Sequence, residues 1–265
     1  MIKSPVKWHG GKSYLAEWII SFFPKHEIYV EPFGGGASVL FAKEPVGVEV
    51  YNDLDFRITR LFRMLRLRGK EFIGQVDLIP YSEAEFDLAI AYKSGADPDD
   101  MEAAVCDFVR WRQSFGGHGK SFGLGTRRAR GGMMGDVNAW LNAIERLPEI
   151  VERIQRVEIL CRNANNVIEK FDDPNTLFYC DPPYLHETRE AHSRDIYAHE
   201  MSHLDHMKLL CILKACRAKV ILSGYRSGLY DEELKSWRLE TKDMPNNSAG
   251  GRSKGRETEC LWMNF

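Results

Sequence analysis

The stretch IYVEPFGGGASVLFAKEPVGVEVYND, residues 28–53, contains the pattern that decides the fold class. Its first six residues predict a strand, the three glycines predict a sharp turn, and a short helix is expected from Ala37. The residues VGVEVY predict a second strand, which ends before Asn52 and Asp53. A strand, a crossover helix and another strand form a βαβ unit, so we expect an α/β protein with a doubly wound, mostly parallel sheet.

Strand signals resume in the second half of the chain, after a long helical section. The later predicted strands lie at residues 157–160, 176–179, 218–222 and 258–262. The section between residues 57 and 155 is mostly helical, with an apolar helix face formed by Val137, Trp140, Leu141, Ile144 and Leu147. We therefore expect one α/β domain made from residues 1–57 and 157–265, with residues 58–156 as a helical insert.

Two further helix signals are local. Residues 12–23 predict a helix, because Leu15, Ile19 and Phe22 share one helical face. Pro148 is expected to open a helix, since proline is favoured in the first helical turn.

The composition excludes several classes of protein. Hydrophobic residues make up 44% of the 265 residues and charged residues 28%, as in ordinary globular domains. The apolar runs are strand-length and the N-terminus lacks a signal-peptide core, so no membrane span or secretion is expected. Six cysteines without a CxxC pair predict reduced, mostly buried thiols in a cytoplasmic protein. The formal net charge of −2 argues against a chain that coats nucleic acid, but allows one basic face.

Asp181, Pro182, Pro183 and Tyr184 follow directly on an apolar predicted strand, at the end where ligands bind in open α/β sheets. Such a segment suits methylation of a base amino group, whose lone pair is delocalised into the ring. The Asp181 carboxylate and the Pro182 carbonyl are candidate acceptors for the two N–H groups. Tyr184 offers a face on which a flipped base could stack. A rigid turn after a strand is the alternative interpretation.

The glycine turn after the first strand is a candidate nucleotide site. Glycines let backbone N–H groups approach a ligand closely, and Asp53 follows the next strand, where an acidic residue binds ribose hydroxyls in nucleotide folds. Gly34 and Gly36 are not followed by the third glycine of the dinucleotide motif, because that position is Val39. A mononucleoside cofactor is therefore favoured over a dinucleotide.

The N-terminal segment PVKWHGGKS, residues 5–13, contains a Gly-Lys-Ser sequence typical of phosphate-binding loops. The spacing contradicts that interpretation, because Val6 occupies the position of the first loop glycine and no strand precedes it. Trp8 and Lys12 could instead fold over a cofactor, with Lys12 reaching a carboxylate. A capped helix start with a packed tryptophan remains the structural alternative.

Together, these segments resemble one family. The motifs Lys7-Trp8-x-Gly-Gly-Lys12, Glu31-Pro-Phe-x-Gly-x-Gly-or-Ala, Asn52-Asp53 and Asp181-Pro-Pro-Tyr184 are similar to those of the Dam-type (D12 class) DNA adenine-N6 methyltransferases, in the same order. The resemblance covers residues 5–57 and 157–265. It implies a Rossmann-like methyltransferase sheet that uses S-adenosylmethionine, and a target-recognition role for the insert at residues 58–156.

The resemblance also implies the roles of individual residues. Asp181, Pro182, Pro183 and Tyr184 would be catalytic, and Lys7 would face the DNA. The residues that would bind S-adenosylmethionine are Trp8, Gly10, Gly11, Lys12, Glu31, Pro32, Phe33, Gly34, Gly36, Asp53 and Asp181.

A basic stretch within the insert becomes a candidate DNA contact on this basis. Residues 108–135 contain no Asp or Glu, and their basic residues are Arg110, Arg112, Lys120, Arg127, Arg128 and Arg130. Such residues would mainly bind phosphates of double-stranded DNA, which supplies affinity without sequence information. A solvated surface loop is the alternative, and it is the favoured interpretation of a second basic segment, residues 252–256.

Parts of the sequence also suggest other functions. His199-Glu-Met-Ser-His203 matches the HExxH motif of zinc proteases, but Ser202 is expected to cap a helix that starts at His203, which would point the histidines apart. A non-catalytic DNA-binding module would leave Asp181–Tyr184 unexplained. Methylation of cytosine N4, or of amines in RNA or protein, uses similar geometry. A cytosine-C5 enzyme is not expected without a Pro-Cys nucleophile. We expect a monomer without a metal site.

Overall fold

The computed structural model describes residues 1–93, 95–125, 132–188, 199–245 and 256–265. Its helices are α1 (Ala16–Ile20), α2 (Ser38–Ala42), α3 (Phe56–Val76), α4 (Glu83–Ala91), α5 (Met101–Gln113), α6 (Gly135–Glu145), α7 (Leu147–Ile154), α8 (Ala164–Lys170), α9 (His203–Ala215) and α10 (Gly228–Glu233). Its strands are β1 (Ile28–Glu31), β2 (Val48–Asn52), β3 (Val157–Leu160), β4 (Thr176–Cys180), β5 (Lys219–Gly224), β6 (Arg238–Pro245) and β7 (Arg256–Met263).

The seven strands form one sheet in the order β3-β2-β1-β4-β5-β7-β6. β1 pairs in parallel with β2 and with β4, and β4 pairs in parallel with β5. β7 runs antiparallel to both β5 and β6. The predicted α/β class and the mostly parallel, Rossmann-like sheet are confirmed.

The chain order contains a reversal at the centre of the sheet. From β1 the chain moves outward through β2 to β3, and it then returns to β4 on the other side of β1. Ligands of open α/β sheets bind outside the carboxyl ends of the strands at such a reversal. The segments that follow β1 and β4 are therefore placed where a ligand site is expected.

The chain divides into two compact units. The helical unit contains residues 1–17, 35–43 and 55–159, and the strand unit contains residues 18–34, 44–54 and 160–265. These units follow compactness, whereas the predicted division into residues 1–57 with 157–265 and residues 58–156 follows the pattern of strand and helix signals, so the units do not test it. The assignment of residues 58–156 to target recognition stays a prediction.

One face of the strand unit's sheet is covered by helices. Apolar side chains alternate along each strand, so Val30, Phe178 and Leu222 point to the same face. They pack in one cluster with residues of α8, α9 and α10 and with the residue that caps α10, which are Val167, Ile168, Leu209, Leu210, Leu213, Tyr230 and Leu234. Burial of these apolar side chains is the main force that holds the three helices on the sheet.

The helical unit has its own aromatic core. The Phe108 ring lies 5.5 Å from the rings of both Phe72 and Trp140, and the Trp140 indole donates to the Ile79 carbonyl at 3.0 Å. A buried ion pair joins α3 to α5, because Arg60 donates to Asp107 at 2.6 Å. Replacing either Arg60 or Asp107 by an uncharged residue would leave the charge of the other buried and uncompensated.

One local prediction is confirmed, two are wrong, and one strand was not predicted. Pro148 lies in the first turn of α7. The helix predicted over residues 12–23 is much shorter, because only α1 is helical and turns flank it on both sides. Strand β6 was not predicted. The six cysteines are free, but Cys161 and Cys211 are exposed, so the thiols are not mostly buried. In the part of the chain that the structure describes, no helix is long and apolar enough to span a bilayer.

Candidate active site

Two predicted motifs leave the sheet at neighbouring strand ends. β1 and β4 pair in parallel, with Val30 opposite Phe178, and they end at Glu31 and Cys180. The Asp181 segment therefore begins next to the segment that starts at Glu31. This is the point where the strand order reverses, which is the expected place for a ligand in this type of sheet.

The segment from Asp181 to Tyr184 is partly enclosed. Pro182 is buried, while Asp181, Pro183 and Tyr184 are each half-buried. The Tyr184 hydroxyl donates a hydrogen bond to Glu259 Oε1. Burial raises the pKa of Tyr184 well above its usual value, with further contributions from Asp181 and Glu259. Tyr184 therefore stays a neutral phenol with an anchored hydroxyl over the whole range of physiological pH.

A buried asparagine holds the turn after β1. Asn52 is fully buried at the end of β2, and its Nδ2 donates to the Pro32 carbonyl at 2.8 Å. The Asn52 carbonyl in turn accepts from the Gly34 amide at 2.8 Å. A β-carbon at Gly34 would lie 2.1 Å from the Tyr51 ring, so no other residue fits there without displacement. The backbone of the predicted glycine turn is thus fixed from β2.

The other predicted residues of this turn have distinct environments. Glu31 is buried at 2% exposure and accepts from the Tyr29 hydroxyl at 2.7 Å. Phe33 is half-buried and packs against the apolar cluster of the strand unit. Glu31 therefore has a structural partner within β1, whereas Phe33 provides an apolar surface at the edge of the turn.

Asp53 lies immediately after β2, as predicted. It is half-buried, and its amide donates to the Leu160 carbonyl at 3.3 Å. A carboxylate at the carboxyl end of a parallel strand is suited to accept hydrogen bonds from ribose hydroxyls.

The remaining predicted cofactor residues lie in the helical unit. Lys12 is buried at 7% exposure, and its Nζ donates to the Gly10 carbonyl at 3.0 Å. Trp8 packs against the second half of the glycine turn, because a β-carbon at Gly36 would lie 2.8 Å from Trp8 Cβ. Gly11 closes the loop through its amide, which donates to the Trp8 carbonyl at 3.1 Å. The N-terminal motif is thus a compact loop, and its Trp8 packs on Gly36 within the same unit.

An aromatic and ionic stack supports Trp8. The Trp111 ring of α5 lies 5.3 Å from the Trp8 ring, and the Arg57 guanidinium lies 5.9 Å from the centre of the Trp111 ring. Asp55 holds Arg57 through two side-chain hydrogen bonds of 3.0 and 2.7 Å. Neither Trp111 nor Arg57 was among the predicted site residues.

The predicted DNA-binding residues differ in burial. Lys120 is exposed, whereas Lys7 and Arg110 are half-buried and face Asp136 at 3.9 Å and Asp107 at 3.6 Å. Arg112 donates to the Ala139 carbonyl, and burial lowers its pKa to about 10. Arg127, Arg128 and Arg130 lie outside the described residues, as do residues 252–255 of the second basic segment.

The HExxH motif does not form a zinc site of the protease type. Ser202 caps α9 in a capping box with Asp205, and α9 begins at His203, so His199 lies outside the helix. Both histidines are exposed. Among the described residues, no group of three or more His, Cys, Asp or Glu side chains is arranged to hold a metal ion. The prediction that a helix boundary falls inside the motif is confirmed.

A comparison with protein families identifies the family of this chain. The model of the D12 class N6 adenine-specific DNA methyltransferases matches residues 8–92 and 131–245, which is more than half of the chain. The chain belongs to this family. The predicted resemblance and the predicted activity, methylation of adenine N6 in DNA, are therefore confirmed. The match includes every predicted catalytic residue and all the predicted cofactor residues.

Individual methyltransferases are similar over most of the chain. The DNA adenine methylase of Salmonella typhimurium is 23% identical over 270 residues, which cover 97% of this chain and 93% of the relative. The type II methyltransferase M.FokI of Planomicrobium okeanokoites is 23% identical and the modification methylase StsI of Streptococcus sanguinis is 24% identical. Both alignments cover 100% of this chain but 43% of the relative, so the chain spans less than half of those two proteins.

Two residues near the catalytic segment were not predicted. Ser223 and Glu259 lie on β5 and β7, and the Ser223 hydroxyl donates to Glu259 Oε1 at 2.8 Å. One feature of the sequence singles out Glu259. It is an acidic residue in a predicted strand, directly before the apolar run Cys260–Met263. Buried acids in strands need polar partners, which the sequence does not identify.

Proposed function

We propose that this DNA adenine methyltransferase transfers the methyl group of S-adenosylmethionine to N6 of an adenine that is flipped out of double-stranded DNA. The observation that carries the proposal is the place of Asp181–Tyr184 at the carboxyl end of β4, where the strand order reverses. Membership of the family supports the target atom and the DNA substrate.

The residues at the strand ends fit this cofactor. Asp53 offers a half-buried carboxylate for ribose hydroxyls, and Phe33 offers an apolar surface for a nucleoside base. We assign cofactor binding to these two residues and to Trp8, Gly10, Gly11, Lys12, Glu31, Pro32, Gly34, Gly36 and Asp181. When bound, S-adenosylmethionine would supply an electrophilic methyl group and leave as the neutral thioether S-adenosylhomocysteine, while the methylated amine loses one of its two protons to solvent. The protein itself supplies orientation and polarisation of the acceptor amine.

The acceptor amine is prepared by two oxygen atoms. The Asp181 carboxylate and the Pro182 carbonyl each accept one N–H of the adenine amino group, which returns electron density to the nitrogen lone pair. Pro183 restricts the backbone, so the two acceptors keep a fixed separation. Tyr184 stacks on the flipped base, and its neutral, anchored phenol keeps the ring in place.

DNA binding is assigned to the helical unit. Lys7, Arg110, Lys120, Arg127, Arg128 and Arg130 contact phosphates in this proposal, and Arg112 contributes positive potential from its half-buried position. We assign target recognition to residues 58–156, as predicted from the sequence. The enzyme acts as a monomer in the cytoplasm in this proposal.

Labelled methyl transfer tests the proposal directly. Purified protein is incubated with unmethylated duplex DNA and methyl-labelled S-adenosylmethionine, and the digested nucleosides are measured by mass spectrometry. Label in N6-methyldeoxyadenosine is expected, and sequencing of the product DNA gives the recognition site. Label in N4-methyldeoxycytidine would overturn the assignment of the base. Absence of label on DNA, despite saturable cofactor binding, would redirect the search to amines of RNA or protein.

A further inference from the structure

Glu259 lies at an unusual place for an acid. It is on β7, the antiparallel strand between β5 and β6, and only 6% of it is exposed. Side chains alternate along a strand, so Glu259 points away from the apolar cluster that contains Cys260 and Trp262. A buried carboxylate is tolerated only with hydrogen-bond partners.

The partners of Glu259 connect it to the catalytic segment. Its Oε1 accepts from the hydroxyls of Tyr184 and of Ser223. Ser223 follows Leu222, which pairs with Cys180, so Ser223 stands level with Asp181 at the ends of adjacent strands. One carboxylate oxygen therefore joins β5 and β7 to the residue that closes the Asp-Pro-Pro-Tyr motif.

A second phenol–carboxylate pair braces the same ring. The Tyr225 ring lies 4.6 Å from the Tyr184 ring, at an angle of 68° between the planes. The Tyr225 hydroxyl donates to Glu257, which is two positions before Glu259 and so on the same face of β7. Edge-to-face contact of this kind favours one relative orientation of two rings.

We propose that Glu259 is a positioning residue for the methyl transfer, and that it acts by fixing the ring of Tyr184 against which the flipped adenine stacks. This inference rests on the proposed function. The hydrogen bond to the hydroxyl fixes the direction in which the Tyr184 side chain points. The edge-to-face neighbour Tyr225 restricts rotation of the ring about that direction. The base then meets a surface that is already ordered, so less ordering is required during the reaction.

Ring order can be measured without DNA. The protein is labelled with 3-fluorotyrosine, and the ¹⁹F signal of Tyr184 is assigned with the variant Tyr184→Phe. Glu259→Ala is expected to shift this signal and change its width, and Glu259→Gln, which keeps an acceptor oxygen, is expected to restore it. An unchanged Tyr184 signal in Glu259→Ala would overturn the positioning role.

Kinetics test the consequence for the reaction. Glu259→Ala is expected to lower kcat by about 10- to 100-fold, the effect of losing a hydrogen bond to a charged group, with little change in KM for S-adenosylmethionine. Glu259→Gln should recover most of this loss. Thr258→Ala is the matched control, because Thr258 is exposed, bonds to Asp243 on β6 and points to the opposite face of β7. Unfolding curves of all variants establish that they are folded.

A double-mutant cycle shows whether Glu259 acts through Tyr184. In the background of Tyr184→Phe, Glu259→Ala should lower kcat by less than about twofold, because the bond is already absent. Independent, multiplying effects would contradict the inference. If the wild-type protein methylates adenine and Glu259→Ala is fully active, this inference alone fails. If the wild type does not methylate adenine, the proposed function fails, and the ¹⁹F experiment still decides the role of Glu259.

Discussion

The segment after β4, which we propose to be catalytic, and the basic stretch of residues 108–135 use charged groups in opposite ways. At the end of β4 the structure collects acids and phenols, and hydrogen bonds from β5 and β7 hold them in one arrangement. Among the described basic side chains of that stretch, Lys120 is exposed, whereas Arg112 is half-buried and donates to the Ala139 carbonyl within the helical unit. The side chains after β4 are held in a fixed arrangement, so variants there should change kcat. Variants of exposed basic residues in the stretch 108–135 should change DNA affinity instead.

The largest effect is expected at Asp181. Asp181→Ala removes the carboxylate that accepts from the amine, so kcat should fall by about 10³-fold, as with other removed transition-state contacts. DNA affinity should stay close to that of the wild type, which separates a catalytic from a binding role. Single-turnover methylation and DNA titrations measure the two quantities. Asp231→Ala, in a surface ion pair on α10, is the control and should retain activity. Near-normal turnover of Asp181→Ala would remove this residue from the mechanism.

Gly34→Ala tests how rigidly the strand unit holds its turn. The added β-carbon would lie 2.1 Å from the ring of Tyr51, which is fully buried, so the free energy of unfolding should fall by about 1–3 kcal/mol. Denaturant unfolding measures this change. Gly47→Ala is the matched control, because its β-carbon would be 3.5 Å from the nearest atom, an ordinary contact. Equal stability of the two variants would show that the turn adapts.

Trp8→Ala tests the aromatic support in the helical unit. Trp8 packs on Gly36 and on Trp111, so its loss should weaken S-adenosylmethionine binding by about tenfold, the value of one aromatic contact. Isothermal titration gives the dissociation constant. Trp18→Ala serves as the control, because Trp18 packs against Phe22 and Lys242, neither of which belongs to a predicted motif. Unaltered affinity of Trp8→Ala would exclude the loop from cofactor binding.

Lys120 and Arg112 provide a test inside the basic stretch. Lys120→Ala should reduce the slope of log K against log salt by about 0.9, the value for one phosphate contact. Arg112→Ala should leave the slope unchanged and lower stability instead, because its guanidinium bonds to Ala139. DNA titrations at several salt concentrations measure both slopes. The same change of slope in both variants would contradict the distinction by burial.

The smallest effect is expected at the HExxH motif. His199→Ala, His203→Ala and treatment with a chelator should each leave methylation unchanged, because the two exposed histidines straddle the start of α9. Methylation assays with and without chelator measure this. Loss of activity on chelation would reinstate a metal-dependent interpretation.

The fold was largely predictable because its main signals are local. Six of the seven strands and the helical section coincide with runs whose periodicity follows from burial. β6 escaped prediction, because its residues RLETKDMP are mostly polar and depend on pairing with β7. The helix predicted over residues 12–23 was too long, and only α1 is helical. Helical periodicity does not show where a short helix ends, because tertiary contacts decide it.

The site was predictable where the chemistry lies in consecutive residues. Asp181–Tyr184 and the turn after Glu31 could be proposed from the sequence because strand ends and glycines are where ligand sites are expected, and the structure places both at neighbouring strand ends. The supporting contacts of Asn52, Trp111 and Glu259 could not be predicted, because each of these residues acts through a partner that is distant in sequence.

The βαβ start, the family motifs in their order and the chemical groups proposed for the reaction could be predicted from the sequence, because they depend on residue type and spacing within short stretches. The position of β7 between β5 and β6, which brings Glu259 to Tyr184, depends on the tertiary structure. The exposure of the described basic side chains depends on it as well. Both outcomes follow from long-range packing and the need of buried polar groups for partners, and neither is encoded in any single stretch of residues.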